Sequence, residues 1–204
     1  MATDVALQLL PKGDTMPPIA KFSKEEVIET SLEIVRKAGI DGLTARDLAS
    51  ALSSSTKVIF GLFSGMDELK TEVIKAAYSY YLKYIDDAMH SAHERPYLAS
   101  GLAYIRFAES ERELFKLLFM RDRTGEDQRT RREDVREILD TIMKNTGMSE
   151  DEAFSFHMKM WIVVHGIAVM KATSFLDWNE EQVKAELEDF YVALTGGRER
   201  IEKI

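Results

Sequence analysis

Cysteine is absent from the 204-residue chain, which excludes disulfides and thiolate metal sites and favours a reducing compartment, the cytoplasm. Proline occurs four times, three of them before residue 19, so little interrupts helices after that point. No apolar run approaches the roughly 20 residues of a membrane-spanning helix, and no membrane partner is expected. Residues 1–20 lack the basic region and cleavage site of a signal peptide and are interpreted as a flexible arm.

An excess of positive charge is also missing, since the formal net charge is −8. Proteins that coat nucleic acid depend on neutralising phosphates and are usually basic, so the charge argues against that class. A small DNA-binding domain within an otherwise acidic protein remains compatible with this net charge. The segment Arg121–Arg136 mixes six arginines with five acids, which is more typical of a solvated loop and helix start than of a nucleic-acid patch.

Helix signals are abundant along the chain, and strand signals are nearly absent. Capping boxes, in which two side chains satisfy the first turn reciprocally, are predicted at Ser23 with Glu26, Ser110 with Glu113, Ser149 with Glu152 and Asn179 with Gln182, and a weaker one at Thr44 with Asp47. Nine helices are predicted, at about 23–38, 44–51, 55–61, 66–93, from Pro96 onward, 111–120, 127–145, 150–174 and 180–194. The expected fold class is all-α.

Residues 43–69 carry the pattern of a helix-turn-helix. Two short helices that cross closely need facing apolar positions and a small residue at the crossing. The facing positions are Leu48, Leu52, Ile59 and Leu62, and the small residue is Ala49. The turn Ser53–Ser55 then leads into a second helix whose first turn would enter a DNA major groove.

This stretch resembles the TetR family of transcriptional regulators. The matching positions are Gly42-Leu43-Thr44, Leu48-Ala49, Ser53-Ser54-Ser55, Ile59 to Phe63 and Met66 to Leu69. The resemblance implies an all-helical homodimer with a DNA-binding domain at 21–68 and a ligand-binding and dimerisation domain at 69–204. It further implies a regulator, most often a repressor, that a small molecule releases from operator DNA.

Four positions depart from the family pattern. Ser53 replaces the usual turn glycine, and Ser54 replaces an apolar residue. Phe60 and Met66 replace a tyrosine and a lysine that hold phosphates in the family. Residues 21–69 also carry six basic against eight acidic side chains. These losses keep open an alternative, a TetR-like ligand-binding or interaction protein that has lost DNA binding.

The candidate DNA-binding residues are those that the motif places at the groove: Thr44, Arg46, Ser55, Thr56, Lys57 and Phe60. By resemblance Arg46 stands where some members read a base, and its planar fork can pair with guanine. For Arg46 and Lys57 the alternative is a solvated surface charge. Thr44 can be a helix cap only, or can also hold a phosphate with its backbone N–H.

The segment Met158–Met170 is apolar nearly all round, which is typical of a helix buried on more than one side. In the TetR architecture the last two helices form the dimer interface, so a homodimer through helices 8 and 9 is expected. Trp161, His165 and Gly166 also resemble the Trp…His-Gly signature of one TetR C-terminal subfamily. A charge at Val163 or Val164 should weaken the dimer if that face is outermost.

A ligand pocket rich in aromatic and methionine side chains is predicted in the C-terminal half. Its candidate lining is Tyr81, Tyr84, Tyr104, Phe107, Phe115, Phe119, Met143, Met160 and His165. Such a lining fits an apolar or aromatic effector held by a few polar anchors. Core packing is the alternative for each residue taken alone, and His165 could be a core, interface or ligand-anchoring residue.

Catalytic and metal-binding patterns are not found. The sequence has no nucleophile elbow, phosphate loop or metal-ligand spacing, so neither an enzyme nor a cofactor is expected. His90 and His93 lie three residues apart beside Asp86 and Glu94, but no third strong ligand of known spacing is apparent. A surface histidine pair at a helix end is the preferred interpretation.

Overall fold

The computed structural model describes residues 22–91, 95–122, 124 and 132–196. Within these residues the chain forms nine α-helices and two short 3₁₀ helices, without strands, which confirms the all-α class. The α-helices are α1 Lys24–Ala38, α2 Ala45–Ala51, α3 Thr56–Ile59, α4 Met66–Ser91, α5 Pro96–Ser110, α6 Arg112–Phe119, α7 Arg136–Thr146, α8 Glu150–Ala172 and α9 Glu180–Thr195. The 3₁₀ helices are Ile40–Gly42 and Arg132–Val135. The predicted arm at 1–20 lies outside the described residues.

Reciprocal capping boxes begin three of the long helices. The side chains of Ser23, Ser149 and Asn179 cap the first turns of α1, α8 and α9, respectively. The backbone N–H of each capping residue donates to the side chain three residues later, as predicted. The box predicted at Ser110 is wrong, because Ser110 is the last residue of α5 and its hydroxyl donates to the Arg106 carbonyl. The capping position of α6 is Glu111, which makes no side-chain capping bond.

Two helices are shorter than the sequence predicts. α3 spans only Thr56–Ile59, and the chain continues through Phe60 and Gly61 as turns, since glycine weakens a helix. The helix predicted from about 127 begins at Arg136, after the 3₁₀ turn at 132–135. Residues 127–131 lie outside the described residues.

Helices α1, α2 and α3 with their connections form a small unit, which we call the head. Val27, Val35, Leu48, Ile59 and Phe63 are fully or almost fully buried and make its core. These residues belong to the same apolar cluster as Leu69 and Val73 of α4. The head is thus packed onto the long helix that leads into the rest of the chain.

Helices α4 to α9 form the body, with α5 at its centre. Eight residues of α5 are buried, among them Leu102, Tyr104 and Phe107. α5 lies against α4, α6, α7, α8 and α9. A second apolar cluster, around Leu139, Ile142 and Phe156, joins α7 to α8. α5 is thus the central helix of the body, packed among five others.

Candidate DNA-reading head and ligand cavity

The turn between α2 and α3 contains a strained serine. Ser53 has φ 46°, in the left-handed region that favours glycine. Its N–H donates to the Ser50 carbonyl and the Ser54 N–H donates to the Ala49 carbonyl, so two backbone bonds hold the turn. Ser53 therefore holds a backbone conformation that glycine would adopt more easily.

Ser53→Gly is expected to raise the free energy of unfolding by about 0.5–1 kcal/mol. Relief of the left-handed strain, about 1–2 kcal/mol, outweighs the entropy that glycine adds to the unfolded chain. Ser54→Gly is the matched control, because Ser54 does not adopt a positive φ and gains only the entropic penalty. Urea unfolding of both variants checks this, and a destabilised Ser53→Gly protein would contradict it.

Thr44 caps α2, and both groups that it could offer to a phosphate have partners inside the protein. Its hydroxyl accepts from the Asp47 N–H at 3.2 Å and donates to the Asp47 carboxylate. Its own N–H donates to the Gly42 carbonyl at 3.1 Å. This arrangement fits the capping interpretation of Thr44. Ser55 occupies the corresponding position before α3 but makes no side-chain capping bond, and its side chain is exposed.

The other candidate DNA-binding side chains are exposed on one short stretch of the head. Arg46, Thr56 and Lys57 are all exposed. In the part of the chain that the structure describes, no hydrogen bond or ion pair engages the side chain of Arg46 or of Lys57. Phe60 is 46% exposed, which is unusual for a large apolar side chain. These side chains can therefore reach an outside partner without breaking internal contacts.

The first turn of α4 is held through the carboxylate of Glu68, and position 66, where the resemblance implies a lysine, is a methionine. Met66 is half-buried and packs on the core of the head. Glu68 accepts from the Ser64 N–H at 2.6 Å and pairs with Lys24 of α1 at 3.1 Å. The bonds from Ser64, followed by the bond from Lys24, lower the pKa of Glu68 to about 2. At neutral pH Glu68 is therefore ionised and paired with Lys24.

A large cavity of about 1010 Å³ opens between α4, α5 and α8 and extends to α7 and α9. Of the nine residues predicted to line a pocket, the cavity wall contains Tyr81, Tyr104, Phe119, Met160 and His165. Trp161 also lies in the wall and stacks on His165, with ring centroids 5.0 Å apart and planes at 14°. The cavity wall thus combines flat aromatic rings with tyrosine and histidine groups that can form hydrogen bonds.

The structure places the other four predicted residues outside the cavity wall. Phe107 and Phe115 are fully buried in the core. Tyr84 packs its ring on Phe107 at 5.5 Å, and Met143 belongs to the cluster between α7 and α8. Periodicity identifies buried positions on a helix, but it does not distinguish the side that faces a cavity from the side that faces another helix.

Two cavity residues that the sequence analysis did not select are Tyr97 of α5 and His157 of α8. Tyr97 bonds His157 Nδ1 at 3.4 Å, just as Tyr104 bonds His165 Nδ1 at 2.9 Å. A signal was present, because Tyr97 precedes Tyr104 by seven residues and His157 precedes His165 by eight, about two helical turns each. Both pairs therefore join the same two helices.

Burial keeps the four groups of these pairs uncharged. It lowers the pKa of His157 to about 4 and also lowers the pKa of His165. It raises the pKa of both Tyr97 and Tyr104. At neutral pH the inner wall of the cavity therefore offers hydrogen-bonding groups without charge. Charged side chains lie elsewhere in the wall, where Arg95 and Glu188 form an ion pair at 2.7 Å.

A three-residue contact joins the head to the body. Arg36 of α1 donates to Glu111 at 3.1 Å and covers the ring of Tyr80 of α4 at 4.5 Å. The Tyr80 hydroxyl donates to the other oxygen of Glu111 at 3.0 Å. The pair Arg36–Glu111 is only partly exposed, so solvent screens it less than a surface pair. The next residue, Tyr81, lies in the cavity wall, so this contact adjoins the cavity.

The outer surface of α8 and α9 carries exposed apolar side chains. Ile162 is 64% exposed, Phe175 between the two helices 81%, and Phe190 of α9 43%. Val164 faces inward and is 7% exposed, while Val163 is half-buried against the core. The outermost position of α8 is therefore Ile162, and a charge at Val164 would test folding and not association. The sequence could not determine this rotation.

The structure brings Glu137 of α7 to His90, a neighbour that sequence spacing could not reveal. His90 Nε2 lies 3.4 Å from Glu137, and Nδ1 lies 3.3 Å from the Asp86 carboxylate. The Asp86 backbone carbonyl and carboxylate, and then Glu137, raise the pKa of His90. Candidate ligand atoms of the three residues lie within 4.8 Å of one another, but all three are exposed. His93 and Glu94 lie outside the described residues.

Among the described residues, one helix, α8, is long and apolar enough by length and composition to cross a membrane. The mean hydropathy of its most apolar window is 1.3, and 39% of that window is buried in the protein. A core helix passes the same test, and α8 contributes residues such as Phe156, Ile167 and Ala168 to the interior.

Comparison with known proteins agrees with this architecture. Residues 97–194 match the family model described as the tetracyclin repressor-like C-terminal domain. An uncharacterized HTH-type transcriptional regulator of Mycobacterium tuberculosis is 21% identical over 192 residues, covering 89% of this chain and 84% of the relative. The fold is similar to the solved structure of a candidate transcriptional regulator from Pseudomonas aeruginosa PAO1, with TM-score 0.61 and 18% identity over 88% of this chain and 93% of that one.

These relatives are described as transcriptional regulators and not as enzymes, which agrees with the lack of catalytic motifs in the sequence. The family match covers nearly all of α5 to α9, and the relative's match extends over 89% of this chain. Residues 97–194 are thus similar to the tetracyclin repressor-like C-terminal domain, and most of the chain is similar to a protein described as an HTH-type transcriptional regulator.

Proposed function

We propose that the chain is a cytoplasmic, homodimeric, ligand-responsive DNA-binding regulator, a repressor that a small apolar or aromatic effector releases from its operator. Residues 21–68 act as the DNA-binding domain and residues 69–204 as the ligand-binding and dimerisation domain. Residues 1–20 serve as an arm. The observation that carries the proposal is a cavity of about 1010 Å³ whose wall adjoins the contact between head and body.

The proposed response passes along α4. Tyr81 lies in the cavity wall, while Tyr80 contacts Arg36 of the head through Glu111. A ligand that displaces Tyr81 would favour a different position of α4 and hence of the head. DNA favours one spacing of the two heads in the dimer and the ligand another, so their binding free energies are coupled.

A gel-shift titration with the DNA that flanks the chain's own gene tests DNA binding. Retarded bands at nanomolar protein, resistant to excess unrelated DNA, are expected for an operator. Equal binding to both DNAs, or no binding at any concentration, would contradict the proposal. Release of the operator by a cavity ligand tests the response separately.

Three observations favour the second candidate, a ligand-binding or interaction protein without DNA binding. Phe60 has no hydroxyl for a phosphate, Met66 packs on the head, and the Thr44 N–H has an internal partner. Retention of ligand binding in a protein that binds no DNA in the gel-shift titration would support this candidate over the first.

Met66→Lys is expected to strengthen binding to all DNA sequences alike. One added phosphate contact steepens the log–log dependence of affinity on salt by about 0.9 per head. The preferred operator should not change, because phosphate contacts position the protein and do not read bases. Lysine can keep its stem on the patch that Met66 covers.

The matched variant is Phe60→Tyr, which adds a hydroxyl without charge. It should tighten binding with little change in salt dependence. Anisotropy titrations at several salt concentrations measure both variants against the original protein. If Met66→Lys changes neither affinity nor slope, position 66 does not approach the DNA backbone.

A further inference from the structure

Two tyrosine–histidine pairs span the cavity wall in parallel. The first pair is Tyr97–His157 and the second pair is Tyr104–His165, and in both a hydroxyl meets Nδ1. Both tyrosines belong to α5 and both histidines to α8. Seven or eight residues at 1.5 Å rise separate the pairs by about 10–12 Å along the helices. The two pairs thus give this part of the wall two uncharged polar points at a fixed spacing.

Each pair leaves one hydrogen-bond donor for a ligand, whichever way its proton is placed. If the tyrosine hydroxyl donates to Nδ1, the neutral imidazole carries its proton on Nε2. If Nδ1 carries the proton and donates to the tyrosine oxygen, the hydroxyl proton is available instead. Because burial keeps all four groups neutral, a charged ligand end would find no counter-charge at either pair.

The wall between the pairs is apolar. Trp161 and Val164 of α8 lie between the positions of His157 and His165, and Met160 adds a third apolar surface. On α5 the intervening Ser100 hydroxyl donates to the Tyr97 carbonyl and is therefore already bonded. The indole of Trp161 stacks on His165 and provides a flat surface beside the second pair.

We propose that the cavity binds a long, flat, uncharged molecule with one hydrogen-bonding oxygen near each end, each end held by one tyrosine–histidine pair. This inference rests on the proposed function in taking the cavity as the effector site. It goes further by assigning the two anchors and the chemical class of the ligand.

The test uses three probes that differ only in their end groups: 4,4′-dihydroxystilbene, 4-hydroxystilbene and stilbene. Calorimetric titration of the whole protein should show affinity falling about tenfold with each hydroxyl removed, the loss expected for one hydrogen bond in a buried site. Equal affinity of the three probes, or no binding of any, would overturn the inference. This comparison needs no variant.

Amino-acid substitutions then test which side chains bind the two ends of the ligand. Tyr97→Phe and Tyr104→Phe should each lower dihydroxystilbene affinity about tenfold and leave stilbene affinity unchanged, because the tyrosine either supplies the donor or holds its histidine in the tautomer that supplies it. The matched control is Tyr84→Phe, a half-buried tyrosine of the same aromatic cluster that lies outside the cavity wall. If Tyr84→Phe has the same effect, or if neither cavity variant has one, the assignment is wrong.

The operator gel shift distinguishes this inference from the proposed function. Pair-dependent binding of dihydroxystilbene without DNA release would support the ligand assignment and contradict the proposed response. Operator binding with no affinity for any probe would overturn the ligand assignment and leave the proposed DNA binding intact.

Discussion

Ile162→Glu is expected to convert the protein from a dimer to a monomer, weakening association by a hundredfold or more. In a two-fold symmetric dimer the substitution enters the interface twice, and each carboxylate would lose water without gaining a partner. Ile162 is the most exposed large apolar residue of α8, so its replacement costs little in the isolated chain. Sedimentation should give twice the 23.2 kDa of one chain for the original protein and 23.2 kDa for the variant.

Ser79→Glu is the matched control, since it places the same charge on an exposed position of α4. That variant should remain dimeric and unfold at the same temperature as the original protein. A dimeric Ile162→Glu protein would show that this face of α8 is not the interface. An original protein that sediments as a single chain at micromolar concentration would contradict the proposed dimer itself.

Arg46→Ala is expected to weaken operator binding by roughly 1–3 kcal/mol per head and to relax the choice of base at one position. Arg46 is exposed and, among the described residues, makes no internal bond, so the fold should be unaffected. In the proposed dimer two heads bind one operator, so a single substitution removes the Arg46 contact twice and its loss of binding free energy is doubled. Anisotropy titrations against the operator and single-base variants of it measure affinity and discrimination together.

Two lysine variants separate base reading from bulk charge. Lys57→Ala should weaken binding to all sequences alike and reduce the salt slope by about one per head. Lys144→Ala removes the same charge from an exposed position of α7 in the body and should change neither quantity. If Arg46→Ala behaves like Lys144→Ala, Arg46 is only a surface charge.

The sequence by itself determined which segments are helical and where most of them begin. Capping residues such as Ser23, Ser149 and Asn179 act within one turn of the chain, so local pattern is enough to place them. The turn at Ser53–Ser55 was also predicted from the sequence, but the left-handed backbone of Ser53 is known only from the structure. Local spacing also placed the two short helices α2 and α3 and the turn between them.

The tertiary structure alone decided which side of each buried helix faces a cavity, a core or solvent. An apolar helix such as α8 has no polar face to indicate its rotation, so the sequence could not distinguish Ile162 from Val164. The contact of Arg36 with Glu111 and the pair Tyr97–His157 join residues 75 and 60 positions apart. Such contacts depend on how helices pack, and no local pattern records them.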